Sequence, residues 1–284
     1  MPIKTILALL ETESAAMAVS KAAASLAKAF SAHLIGLHVV PNAYIPGAMP
    51  VELSGELLEA QRLAFDASAK RIFGIFETAI AGQDVAVEWR RADANYEPVA
   101  SMVMRHGREC DLVVLGKPDQ TITMIDGIAM TEEVMLGLGR PVFVVPAADT
   151  VSTAGKHVLL AWNGSREAAR ATFDALPFLQ NAETVRILSA EPASRGGWLD
   201  IPDSNVATSG IAATLKRHGI RCDLVKPTAP EADVAIELLR DAKEHGCDLI
   251  VMGGYGHWRI REVIFGGTTR GVLELASIPI LMSH

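Results

Sequence analysis

The sequence predicts an α/β protein made of two tandem doubly wound domains, each a five-stranded parallel sheet with helices on both faces. The first observation is an internal repeat, in which residues 110–116 (CDLVVLG) recur as residues 247–253 (CDLIVMG). The second is a set of short apolar runs, and the third is a series of helical stripes between these runs. A motif that recurs in matching surroundings indicates a duplicated structural unit.

The apolar runs predict five strands in each half. They cover residues 3–10, 34–40, 85–89, 111–115 and 141–145 in the first half, and residues 157–162, 184–189, 220–225, 248–252 and 279–282 in the second. Continuous apolar runs of this length favour parallel strands that are buried on both faces.

Helical patterns separate these strands. Ala15, Val19, Ala22, Leu26 and Phe30 fall on one helical stripe, and a second stripe is formed by Ala235, Leu238, Leu239 and Ala242. Strands that alternate with helices are typical of doubly wound folds. The small and polar segment 147–155 is a suitable linker, so the predicted domains are 1–147 and 156–284.

Composition excludes several classes of protein. Half of the 284 residues are hydrophobic and 21% are charged, which excludes a disordered chain. A net charge of −7 argues against a broad nucleic-acid surface, and no apolar run approaches the length that spans a bilayer. The three cysteines are too scattered for a disulfide framework. We therefore expect a soluble, cytoplasmic protein with buried thiols.

A glycine-rich motif in the second half carries the functional signal. Gly253 and Gly256 follow an apolar strand, and nine residues later Gly266-Gly267-Thr268-Thr269 opens a helical pattern that contains Val272, Leu275 and Ala276. We expect Gly253 to let the chain turn and Gly256 to let a ligand approach the backbone. A helix N-terminus offers free N–H groups to an anion, and threonine hydroxyls add hydrogen bonds. The alternative is an ordinary strand–helix connection with a threonine cap.

This motif resembles the Gly-x-x-Gly-(nine residues)-Gly-Ser/Thr element of the universal stress proteins. The segment 161–167 (AWNGSRE) is similar to the first strand and turn of that family, and the resemblance covers essentially the whole chain as a tandem two-domain member. It implies that the second half binds ATP or a related adenine nucleotide. Mg²⁺ would enter with the nucleotide phosphates.

The resemblance also implies a set of binding residues. Those expected at the base and ribose are Ala161, Asn163 and Ala190, and those that end the fourth strand are Met252 and Gly253. Those expected along the ribose and phosphates are Tyr255, Gly256, Gly266, Gly267, Thr268 and Thr269. Two positions depart from the family, because Asn163 stands where Asp is common and Gly267 stands where Ser or Thr is expected.

The first half lacks this pattern, so we expect it to keep the fold without the site. Asp119 holds the place of the second motif glycine, and Leu10 is matched with Asn163. Residues 129–133 (AMTEE) replace Gly-Gly-Thr-Thr-Arg. Glu132 and Glu133 at a helix start would satisfy the helix dipole themselves and repel phosphate.

The functional hypothesis is a nucleotide-dependent sensor or adaptor. The alternatives are a slow ATP hydrolase, for which Glu262 and His257 are the nearby candidates, and an interaction scaffold without a ligand. No catalytic set and no metal-ligand spacing is recognisable. The resemblance further implies that the last strands, 141–145 and 279–282, pair within the chain. A homodimer of whole chains stays open.

Overall fold

A computed structural model describes residues 2–41, 55–94, 97–117, 127–146, 155–189, 204–227, 233–255 and 267–284. The described elements of the first half are β1 (Thr5–Leu9), α1 (Glu13–Phe30), β2 (His33–Val40), α2 (Gly55–Ile80), β3 (Val87–Asp93), α3 (Val99–Gly107), β4 (Leu112–Gly116), α4 (Gly127–Leu138) and β5 (Val142–Val145). Those of the second half are β6 (His157–Trp162), α5 (Arg166–Asp174), α6 (Leu176–Asn181), β7 (Thr184–Ser189), α7 (Ser204–Arg217), β8 (Cys222–Val225), α8 (Val234–Glu244), β9 (Leu249–Gly253), α9 (Gly267–Leu275) and β10 (Ile280–Ser283).

All ten strands belong to one sheet, in the order β3-β2-β1-β4-β5-β10-β9-β6-β7-β8. The strands of each half are parallel to one another, whereas β5 and β10 pair in the antiparallel sense, with Val142 opposite Met282. The expected pairing of 141–145 with 279–282 within the chain is therefore confirmed. The strands of the two halves run in opposite directions. The carboxyl ends of the first-half strands and those of the second-half strands therefore lie on opposite sides of the sheet.

Helices cover both faces of this sheet, as the sequence predicts. One core cluster packs under α1, α2, α5, α6 and α7, and the other under α3, α4, α8 and α9. On α1, the predicted stripe is confirmed by the burial of Val19, Ala22 and Leu26. Among the described residues, no helix combines the length and the apolar character that crossing a bilayer requires.

Both core clusters continue from one half into the other. Phe178 of α6 shows this, since its ring lies 5.0 Å from that of Phe30 on α1 and 5.9 Å from that of Phe143 on β5. Aromatic pairs at these separations add to the free energy gained by burying the rings. The halves are thus joined by side-chain packing as well as by the β5–β10 ladder.

Two details of the sequence prediction are wrong. The third strand occupies Val87–Asp93 rather than residues 85–89, and its side chains alternate between half-buried and exposed because it is an edge strand. In α9 the predicted apolar face includes Leu275, which is 61% exposed. Val272 and Leu273 are the residues that α9 buries against the sheet.

The thiols follow the sequence expectation in part. All three cysteines are free, and Cys110 and Cys247 are buried at equivalent positions before β4 and β9. Burial raises the pKa of each of these two thiols to about 11. Cys222, on the edge strand β8, is only half-buried. The two equivalent thiols therefore stay protonated at neutral pH and act as small apolar side chains.

Two equivalent aspartates fix where the strands begin. Asp248 accepts hydrogen bonds from the backbone N–H groups of Gly155, Lys156 and His157 at 2.9–3.1 Å. Asp111 likewise accepts from the N–H groups of two residues at the start of β1, at 2.8 and 3.0 Å. Each carboxylate therefore ties the start of the first strand of its half to the start of the fourth. The two aspartates thus have the same structural role in the two halves.

We expect Asp248→Asn to lower the free energy of unfolding by about 1–3 kcal/mol, because an amide presents only one accepting oxygen to three N–H donors. Urea unfolding measures this change. Asp111→Asn should cost less, since both of its hydrogen bonds go to one oxygen. The exposed Asp84→Asn is the neutral control. An Asp248→Asn variant as stable as the wild type would contradict the assigned role.

Candidate functional site

The candidate site of the second half lies at the carboxyl ends of β6 and β9. These two strands are neighbours, with Val158 opposite Leu249, and the chain leaves them in opposite directions, toward β7–β8 and toward β10. Such a reversal of strand order opens a crevice, which is where doubly wound folds bind ligands. Ala161 and Met252 are buried near the ends of their strands, while Asn163 is exposed just beyond β6.

The end of β6 is held by a polar turn. The Asn163 side-chain oxygen accepts a hydrogen bond from the N–H of Ser165 at 3.0 Å. The Ser165 hydroxyl in turn accepts from the N–H of Ala168 at 3.2 Å and caps α5. An amide oxygen has two lone pairs and its NH₂ has two donors, so Asn163 keeps hydrogen-bonding capacity toward the crevice.

The role of Gly253 differs from the sequence expectation. A Cβ at this position would lie 2.5 Å from the backbone nitrogen of Ala168 and 2.5 Å from the carbonyl carbon of Glu167. Backbone atoms cannot yield as a flexible side chain can. Glycine is therefore needed at the end of β9 because the first turn of α5 packs directly on it, and not because the chain turns there.

The residue that turns the chain is Tyr255. Its φ of 55° is left-handed, a conformation that costs a residue with a side chain about 1–2 kcal/mol. The Tyr255 N–H lies 3.4 Å from the Thr269 hydroxyl oxygen, to which it donates a hydrogen bond. This contact joins the end of β9 to the first turn of α9.

The start of α9 has the geometry expected of an anion site. The helix begins at Gly267, which is exposed, and an added Cβ there would meet no atom of the described residues within 4 Å. The first N–H groups of a helix have no partner within it. Thr268 is half-buried, whereas Thr269 is buried and its hydroxyl accepts from Tyr255. Of the two threonines, Thr268 is thus the one accessible to a ligand.

Other expected site residues lie outside the described part of the chain. They are Ala190, Gly256 and Gly266, together with His257 and Glu262, on which the hydrolase alternative depends. Among the residues that the structure does describe, no group of three or more His, Cys, Asp or Glu side chains could hold a metal ion.

Residues of the first half lie next to this site, and this contact was not predicted from the sequence. The α4 residue Met135 packs on Gly254 so closely that a Cβ on the glycine would lie within 2.5 Å of the Met135 Cε. The Glu132 carboxylate is buried on the same helix. Burial and this carboxylate raise the pKa of Tyr255 well above its usual value of 10.0.

Two details of the expected difference between the halves are wrong. Glu132 and Glu133 are not at a helix start, since α4 begins at Gly127 and they lie in its second turn. The strand register, in which Ile6 pairs with Leu112 as Val158 pairs with Leu249, matches Leu10 with Trp162. Glu11, and not Leu10, is therefore the counterpart of Asn163. Burial raises the pKa of the Glu11 carboxyl.

The burial of a histidine next to Leu10 was also not predicted from the sequence. His38, at 4% exposure, lies near the end of β2, and its Nδ1 is 2.7 Å from the Leu10 carbonyl oxygen. A carbonyl oxygen only accepts, so Nδ1 carries the proton. Burial lowers the pKa of His38, which keeps the ring neutral. Its hydrogen bond fixes the end of β1 and does not reach the second-half site, which lies at the opposite edge of the sheet.

Comparison with known proteins finds a family match in the second half. The model of the universal stress protein family matches residues 155–284. A universal stress protein of Synechocystis sp. is 29% identical over 174 residues, a match that spans 60% of this chain and 57% of that protein. Residues 155–284 of the chain are therefore similar to the universal stress protein family.

Solved structures share the fold over almost the full length. A universal stress protein from Archaeoglobus fulgidus superposes with a TM-score of 0.67 at 14% identity, covering 98% of this chain and 97% of that one. A Pseudomonas aeruginosa protein assigned to the same family gives a TM-score of 0.60 at 15% identity, with 99% and 93% covered. The doubly wound architecture of both halves is thus a known arrangement.

We expect Gly253→Ala to lower the free energy of unfolding by about 1–3 kcal/mol, because the new methyl group would push the first turn of α5 off β9. Thermal or urea unfolding measures the loss. Gly267→Ala is the matched control, since the added methyl enters open space on a helix and should raise stability slightly. Equal stability of the Gly253→Ala variant and the wild type would disprove the close packing.

Proposed function

We propose that this chain binds one adenine nucleotide of the ATP type in its second half and acts as a nucleotide-dependent sensor or adaptor in a stress response. The observation that carries the proposal is the contact between Tyr255 and Thr269. It sets the start of α9 beside the crevice between β6 and β9, so one ligand can reach both.

The phosphate end of the ligand is the part best supported by physical chemistry. The N-terminus of α9 offers unpaired N–H groups and the positive end of the helix dipole, and both favour an anion. Gly267 leaves open space in front of these groups, and Thr268 adds an accessible hydroxyl. We propose that this turn, with Gly266 before it, cradles the phosphates and that Mg²⁺ arrives as their counterion.

The adenine end is supported by the resemblance together with the exposed amide of Asn163. Adenine presents an amino donor beside ring-nitrogen acceptors, and an amide side chain can pair with both kinds of group. We place the base against the end of β6, with Ala161 below it and Ala190 supplying backbone groups. Met252, Gly253, Tyr255 and Gly256 then lie along the ribose and the phosphates.

We further propose that the domains are residues 1–147 and 156–284 and that the first half holds no nucleotide. Where the second half has Gly254, the first has Lys117, whose ammonium donates to the Ala276 carbonyl at 2.9 Å. The ammonium is thereby engaged by the other half of the molecule. Glu11, at the position of Asn163, has no amide donor to offer a base. A cytoplasmic location is compatible with the free, buried thiols.

The first test counts nucleotides. The purified protein is denatured, the released nucleotide is quantified per chain by anion-exchange chromatography, and any empty fraction is titrated with ATP. We expect about one adenine nucleotide per chain. Two per chain would show that the first half also binds, and none, by release or by titration, would favour a ligand-free scaffold.

The same preparation separates binding from hydrolysis. A binding protein should show no steady release of phosphate from Mg²⁺-ATP. Turnover that disappears in Glu262→Gln or His257→Ala would establish the slow hydrolase instead.

We expect Gly267→Asp to weaken ATP binding on the order of 100-fold without loss of stability. A carboxylate at the first position of α9 repels phosphate, yet it favours the helix dipole by about 0.3–1 kcal/mol. Equilibrium dialysis and thermal unfolding measure the two effects. Ser14→Asp, at an exposed position in the first turn of α1, is the matched control and should bind ATP normally. Unchanged affinity in Gly267→Asp would remove α9 from the site.

A further inference from the structure

The first half of the chain contacts the segment that leaves β9, beside the candidate site. Gly254 follows β9 directly, and its Cα lies against the thioether of Met135, a residue of α4. A Cβ added to Gly254 would lie 2.5 Å from the Met135 Cε. The antiparallel β5–β10 pairing explains the contact, because it brings β5, and with it the preceding helix α4, next to β10 and β9.

The close approach of α4 explains why a glycine stands at position 254. The φ of Gly254 is not in the left-handed region, so the backbone conformation does not itself require glycine. Met135 is only 2% exposed, and its thioether therefore has little room to move aside for a side chain on residue 254. A larger residue at this position would push the segment after β9 away from α4.

The backbone of Gly254 is held by hydrogen bonds as well. Its N–H donates to the Ser283 carbonyl at 2.9 Å, and its carbonyl accepts from Nδ1 of His284 at 3.0 Å. The next residue, Tyr255, donates its N–H to the Thr269 hydroxyl in the first turn of α9. The position of Gly254 is thus passed through one residue to the helix start that we propose as the phosphate site.

The two residues of this contact are not repeated in the other half. Lys117 takes the place of Gly254 in the first half, and Val272 takes the place of Met135 in the second. Lys117 instead donates to the carbonyl of Ala276, just past the end of α9, at 2.9 Å. The first half therefore contacts the motif segment before α9 and also the carboxyl end of α9.

From this geometry we propose that Met135 is a positioning residue for the nucleotide site of the other half. It supports Gly254 from the side of the first half, and the hydrogen bond from Tyr255 to Thr269 then sets the start of α9 where the phosphates bind. The half for which we propose no nucleotide thereby determines how tightly the other half holds one. This inference rests on the proposed function, since it assigns a further contributor to the same site.

The test is a double-mutant cycle on ATP affinity, measured by equilibrium dialysis. Met135→Ala should weaken ATP binding roughly tenfold because Gly254 loses its support, and Gly254→Ala should weaken it to a similar extent because the new methyl group displaces the segment. In the double variant the methyl group enters the space that the methionine has left. The double variant should therefore bind ATP more tightly than either single variant, and additive losses would overturn the proposal.

Two further variants separate positioning from a general loss of stability. Met135→Leu keeps the volume of the side chain and should bind ATP nearly as the wild type does. Met102→Ala removes a buried methionine from α3, which packs on β1 and β2, and should lower the free energy of unfolding without changing the ATP affinity. An equal loss of affinity in Met102→Ala and Met135→Ala would overturn the proposal, because stability alone would then account for it.

A spectroscopic measurement reads the contact in the wild-type protein. The ten methionines are labelled with ¹³C in their methyl groups, and the Met135 resonance is identified as the one that is missing in Met135→Leu. Saturation with ATP should shift the Met135 resonance, while the Met102 resonance should stay in place. A Met135 resonance that does not move at saturation overturns the proposal.

The two proposals fail in different ways. A wild type that binds no ATP overturns the proposed function and this inference with it. A wild type that binds ATP with an affinity indifferent to Met135→Ala overturns this inference alone.

Discussion

The antiparallel ladder between β5 and β10 is the constraint on which the rest of the molecule depends. It joins two parallel half-sheets into one sheet of ten strands and forces them to run in opposite directions. The same pairing sets α4 of the first half over the end of β9, and it sets Phe178 of the second half against Phe30 and Phe143. The contacts that the first half makes next to the candidate site follow from this one arrangement.

The two halves share some structural features and differ in others. Both retain the aspartate that ties the first strand to the fourth, and both retain a buried thiol before the fourth strand. They differ at the carboxyl ends, where one half has Gly254 and Asn163 and the other has Lys117 and Glu11. The residues that hold the strands together are thus repeated, while the residues at the carboxyl ends differ between the halves.

The sequence was sufficient for the parts of the structure that depend on local pattern. The apolar runs predicted all ten strands, and the Gly-Gly-Thr-Thr group predicted where α9 begins to within one residue. The role of Gly253 was not predictable, since it depends on how closely α5 approaches β9. The left-handed Tyr255 donates to Thr269, and Met135 packs on Gly254, more than a hundred positions away. The sequence offers no periodic signal for either contact. The mismatch of Leu10 with Asn163 arose because β6 extends one register position further than β1, to Trp162, which is the counterpart of Leu10.

The pairing of β5 with β10 also has a consequence for how the protein behaves at low abundance. Two subunits that associate through their last strands separate on dilution, whereas two halves of one chain keep a high effective concentration of each other. The contact of Met135 on α4 with Gly254 is therefore present in every folded molecule, whatever the concentration of the protein.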